Sequence, residues 1–130
     1  LITVSPRIAK TRRVRHIDIE PNLKAWLLPY RKSSGRIVPD ETAWRYRFDK
    51  VRREAGILNR WPSNAMRHSF ATYFLAKTGD QNRTALALGH RDTDVLFAHY
   101  RGLATKKEAE AFWRIEPTLA SSPLKLTKTA

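Results

Sequence analysis

In the stretch "NAMRHSFATYFLAKTGDQNRTALALGHRDTDVLFAHYRG", Arg67 is followed by His90 after 23 residues and by Tyr100 after a further 10. These residue types suit chemistry on a phosphate. Breaking a phosphodiester without a metal requires fixed cations that meet the charge developing on its non-bridging oxygens. It also requires a nucleophile in line and an acid for the departing oxygen. Arginine fits the first task, because its planar guanidinium grips two phosphate oxygens and stays protonated. A phenol becomes a nucleophile when neighbouring cations favour its ionised form. Lysine or histidine can move the protons.

His68 and His99 each adjoin one of these residues. Consecutive helix positions point about 100° apart, so both are set aside. His16 falls on a strand and is read as structural or as a phosphate contact. A zinc site built from His90 and His99 lacks further ligands at useful spacing, so neither a metal nor a cofactor is expected.

The surrounding pattern supplies elements that can hold such a site. Ile2–Val4 and Val14–Ile19 are β-branched runs on either side of "SPRIAKTRR", and they read as a hairpin over 2–19 with a basic loop. Pro21 opens a short helix that Pro29 ends. A second helix runs from Asp40 to Gly56, with Trp44, Phe48, Val51 and Ala55 as its apolar stripe. Ser63 or Asn64 caps a third, whose stripe is Met66, Phe70 and Phe74 and whose end is near Gly79. Asp80 caps a fourth that stops at Gly89, and Asp92 or Asp94 caps a fifth that stops at Gly102. Thr105 and Glu108 form a capping box for a last helix, containing Ala109, Phe112 and Trp113 and ended by Pro117. The expected fold is mainly α, of the α+β class. Residues 1–116 form one domain, with the hairpin first and helices over 21–115, and 117–130 form a flexible tail.

Charge narrows the partner. The 130 residues carry 25 Lys and Arg against 12 Asp and Glu, a formal net charge of +13, so a polyanion such as nucleic acid is the leading partner. Arg7, Arg12, Arg13 and Arg15 on the hairpin, and Arg45, Lys50, Arg52 and Arg53 on the second helix, are the candidate contacts to DNA backbone. With 42% hydrophobic residues the chain is no disordered basic tail, and without cysteine it has no disulfide frame and no thiol nucleophile. No apolar run approaches the ~20 residues of a membrane span. The chain opens on "LITV" without a start methionine and reads as a piece of a longer protein.

"RHSFATYFL", "LGH" and "HY" in this order resemble the second arginine box, the LGH segment and the tyrosine of the tyrosine recombinases, the phage-integrase family. "KTRRVRHIDI" is similar to that family's catalytic hairpin. The resemblance spans roughly Ile2 to Trp113. It implies that Tyr100 attacks the scissile phosphate of double-stranded DNA, leaving a 3′-phosphotyrosyl link and a free 5′-hydroxyl. It implies further that Arg67 and His90 bind the non-bridging oxygens and that Lys10 is the acid for the leaving oxygen. A tetramer on paired sites and a place at the nucleoid in a prokaryotic cytoplasm also follow, as does use in integrating or excising mobile DNA. Two departures stand out. Asn64 occupies the place of the family's usual histidine, and asparagine can donate to a phosphate but cannot take a proton. The family's first arginine lies ahead of the hairpin, so this piece is expected to cleave DNA poorly or not at all alone. The alternative is a binding module without chemistry, either a helix-turn-helix-like reader or a degenerate recombinase.

Overall fold

The structure is a computed structural model that describes residues 1–7, 12, 14–38, 40–90, 99–100 and 102–118. Two short strands come first. β1 (Ile2–Val4) pairs antiparallel with β2 (Arg15–Ile17), in the register Ile2 with Ile17, Thr3 with His16 and Val4 with Arg15. Alternation sets that pairing, since Arg15 and Ile17 are half-buried and His16 faces outward. His16 Nδ1 shares a hydrogen bond with Thr3 Oγ1 at 3.1 Å. The strand expected over Val14–Ile19 is shorter than its β-branched run, and Val14 is exposed.

Proline at the first helical position opens α1 (Pro21–Leu27). Pro29 does not stop the chain's turning. It sits inside a 3-10 turn, Leu28–Tyr30, where its missing N–H is tolerated.

α2 (Glu41–Glu54), α3 (Ala65–Thr78), α4 (Gln81–Leu88) and α5 (Lys106–Trp113) follow. Their ends are set by local chemistry. The Asp40 carboxylate accepts the Ala43 N–H at 3.0 Å, and the Asp80 carboxylate accepts the Arg83 N–H at 2.9 Å. Backbone hydrogen bonds, Ala43 foremost, hold Asp40 below the usual carboxylate range. At α5 the capping box is complete, with Glu108 N–H donating to Thr105 Oγ1 and Thr105 N–H donating to Glu108. α5 ends at Trp113 and not at Pro117. The Ile115 carbonyl accepts the Trp26 indole N–H at 3.2 Å, which draws the chain from the helical path toward α1.

The chain divides into two compact units, Leu1–Pro29 with Met66–Ala130, and Tyr30–Ala65, where one domain is expected from the sequence. The first holds the core of Ala71, Leu75, Ala85, Leu88 and Tyr100, with Phe70 against it. This corrects the stripe expected on α3. Met66 is 58% exposed, and the buried face is Ala71, Phe74 and Leu75. A second layer is aromatic. Tyr73 stacks on Phe112 at 4.4 Å and Phe70 on Phe74 at 5.0 Å, and Trp113 meets both Phe70 and Phe74 edge-on. Trp113 also donates its indole N–H to the Tyr73 carbonyl, which fixes α5 on α3. Lys77 lies over the Trp113 ring and pairs with Glu20 at 2.5 Å, so the same cation joins α1's approach to α3.

In the second unit, Trp44 stacks on Phe48, and Phe48 meets Trp61 edge-on at 5.1 Å. Val51, expected on the buried stripe, is 62% exposed, and among the described residues of this small unit no further apolar layer covers it. Among the described residues there are five α-helices and one two-stranded antiparallel sheet, so the fold is mainly α with a small β part. Lys10, Arg13, most of the expected fifth helix and the tail beyond Thr118 lie outside the described residues.

Candidate functional site

Arg67, His90 and Tyr100 all belong to the first unit. α3 carries Arg67 in its first turn, with an exposed side chain whose Nη2 donates to the Leu88 carbonyl at 2.8 Å. That carbonyl is one that the end of α4 leaves without a helical partner. The next residues explain how His90 is held. Gly89 takes the left-handed conformation at φ 71°, the Gly89 N–H bonds the Leu86 carbonyl, and the His90 N–H bonds the Ala85 carbonyl at 2.9 Å. This double closure of a helix end fixes the His90 backbone through glycine's freedom at positive φ.

Arg67 and His90 thus meet at Leu88–His90. The His90 imidazole is held below its ordinary value of 6.5, first by burial and then by the Arg67 guanidinium. Its ring is therefore mostly neutral at pH 7, free to donate one N–H to an oxyanion. A pH effect follows. Unfolding returns the ring to water, so between the folded value and about 6.5 the unfolded chain binds more protons than the folded one. Stability should fall as pH drops below 6.5 and level off beneath the folded value. Urea midpoints across this range should show that His90→Gln flattens this part of the profile. An identical profile in wild type and variant would count against the burial of His90 beside Arg67.

Tyr100 is helical and its ring is only 8% exposed, within the core. Its hydroxyl is not lost in that core, because it shares a 2.5 Å hydrogen bond with His68 Nδ1. His68 is the residue next to Arg67 on α3, so adjacent side chains of one helix meet the phenol and the end of α4. The 100° offset that set His68 aside is correct for α3 alone, but it says nothing of where Tyr100 arrives. With its proton on Nε2, His68 accepts the phenolic O–H and is placed to act as a base toward Tyr100. Sequence reasoning missed this residue, and its one signal was adjacency to Arg67. His99 is exposed.

Other candidates fall elsewhere. Asn64, at φ 56°, lies in the turn before α3 and in the second unit. Asparagine tolerates that left-handed backbone better than most residues do. Arg7 and Arg12 are exposed. On α2, Arg45 pairs with Glu41 at 2.5 Å and Lys50 with Glu54 at 3.9 Å, both mostly in solvent. Arg53 is exposed. Arg52 departs from the basic face assigned to it. Its side chain is 14% exposed and donates to the Ile57 and Asn59 carbonyls, closing the chain after α2.

A hollow of about 300 Å³ in the first unit is a poor phosphate site, since Leu23, Trp26, Phe70, Trp113, Asp18 and Glu20 line it. Its wall is mostly apolar and its carboxylates repel an anion. Among the described residues no cluster of three or more acidic or histidine side chains is arranged to hold a metal, and no helix is long and apolar enough to cross a membrane. Comparison with known proteins gives no match to a family model, to a curated protein or to a solved structure.

Proposed function

We propose that this chain is a catalytic segment of a tyrosine recombinase, which cuts and rejoins double-stranded DNA at specific sites. The observation that carries the reading is the pairing of Tyr100 with His68, next to an Arg67 that reaches the His90 turn. Nucleophile, proton acceptor and cation, and hydrogen-bond donor thus come from three segments far apart in sequence, around Tyr100, Arg67–His68 and His90. In the reaction, Tyr100 Oη attacks phosphorus as His68 takes its proton. Arg67 and His90 bind the non-bridging oxygens as the bond to the 5′-oxygen breaks. Lys10 protonates that oxygen. Attack by the 5′-hydroxyl of another strand reverses each step, so no external energy source is needed. A net charge of +13 supports the choice of DNA as substrate. Assembly as a tetramer on paired sites, use in integration or excision, and work at a prokaryotic nucleoid complete the reading.

A second reading has one observation in its favour. The burial of Tyr100 suits a DNA-binding module in which the phenol is only structural. Incubating the natural protein with duplex DNA nicked beside its target bond separates the two. A recombinase leaves a protein–DNA adduct that survives heat and detergent, because loss of the short strand prevents religation. Binding without any such adduct selects the module.

A further inference from the structure

Arg15 reaches from β2 to the turn that holds His90. Its Nη1 fills the space that a β-carbon on Gly89 would need, and its Cζ lies 2.7 Å from that position. A guanidinium therefore packs directly on the Gly89 backbone. Nε of Arg15 is buried without a hydrogen-bond partner. Among the described residues no carboxylate pairs with Arg15 or with Arg67. Arg67 donates to Leu88 and Arg15 covers Gly89, so two guanidinium groups sit at consecutive residues of one turn.

Like charges gathered there repel each other, and the unpartnered buried Nε of Arg15 adds to the cost. The carbonyl end of α4 offsets only part of this. A tetrahedral oxyanion would offset the rest, since it brings opposite charge and several acceptors for the unmatched donors.

We propose that Arg15 supplies a second guanidinium to the anion site of Arg67 and His90, binding a non-bridging oxygen of a phosphodiester. Naming that anion a DNA phosphate rests on the recombinase reading, whereas the anion site itself does not. The role differs from a general backbone contact, because Arg15 is anchored to the same turn as His90. A side chain at position 89 would push the Arg15 guanidinium away from this turn.

The test titrates wild type, Arg15→Gln and Arg15→Lys with inorganic phosphate at constant ionic strength, following amide resonances and urea midpoints. Phosphate should stabilise the wild type. Arg15→Gln should weaken phosphate binding about tenfold to a hundredfold, the loss expected for a charge-assisted hydrogen bond. Arg15→Lys should fall between, keeping the charge without the fork. Without phosphate, Arg15→Gln should unfold at an unchanged or higher urea midpoint, since the repulsion with Arg67 and the unpartnered buried Nε are both gone. A lower midpoint with phosphate affinity unchanged would make Arg15 a structural wedge and overturn the proposal. Absence of phosphate binding by the wild type would overturn it too. Covalent capture of DNA by the natural protein is scored separately: phosphate binding that depends on Arg15, with no adduct, leaves the anion site standing and removes strand cleavage. An adduct with phosphate binding indifferent to Arg15 does the reverse.

Discussion

In the natural protein, Tyr100→Phe is expected to leave DNA binding within about twofold of wild type and to reduce covalent capture below detection. The substitution removes one oxygen. Its ring continues to fill the space among Ala71, Leu75, Ala85 and Leu88, so the core keeps its shape. The lost hydrogen bond to His68 costs roughly 0.5–1.5 kcal/mol or less, because His68 is exposed and water can replace the phenol. Chemistry responds differently. Without Oη no phosphotyrosyl bond can form, whatever the other residues do. Gel shifts and adduct yield on a nicked duplex, measured side by side, separate the two effects. If the variant still formed the adduct, another residue would be the nucleophile.

Arg67→Ala is expected to slow adduct formation by about 10²–10³, the usual cost of removing one preorganised donor from a developing oxyanion. Folding should suffer much less. Arg67 is exposed, and its single described hydrogen bond goes to the Leu88 carbonyl at a helix end that water can reach. The salt dependence of DNA binding should become shallower by about 0.9 in the log–log slope, because one fewer phosphate is neutralised. Arg67→Lys should recover charge but little of the rate, because an ammonium cannot hold two oxygens in one plane. Single-turnover adduct formation for the three proteins tests this. A decrease of only a few-fold in Arg67→Ala would place the guanidinium outside the transition state.

The legible parts of the fold were those governed by neighbouring residues. Asp80 and Gly89 bound α4 because a carboxylate caps N–H groups three residues on and glycine closes the far end. Thr105 and Glu108 mark the start of α5 for the same kind of reason. The hairpin pairing is carried by alternation within β2. What escaped depends on residues distant in sequence. Met66 has the larger apolar side chain, yet Ala71 is buried, because a small residue lets another element approach. Val51 has the right spacing on α2, but burial also needs a partner surface. Arg52 looks like its basic neighbours, yet its position opposite the Ile57 and Asn59 carbonyls turns it inward.

The candidate site divides along the same line. Residue type and interval single out Arg67, His90 and Tyr100, since each has a chemical task that few side chains perform. Their supporting residues carried no comparable signal. His68 is joined to Tyr100 only by a contact that crosses 32 residues of sequence. Arg15 is one basic residue among several until the hairpin lies on Gly89.

The most direct measurement is the identity of the amino acid bonded to DNA. The natural protein, trapped on a nicked duplex and digested with protease and nuclease, would be read by mass spectrometry for a nucleotide-bearing peptide. The adduct is expected on the peptide containing Tyr100, linked through a 3′-phosphate. A modified Tyr30, Tyr46 or Tyr73, or no modified peptide despite firm DNA binding, would contradict the assignment.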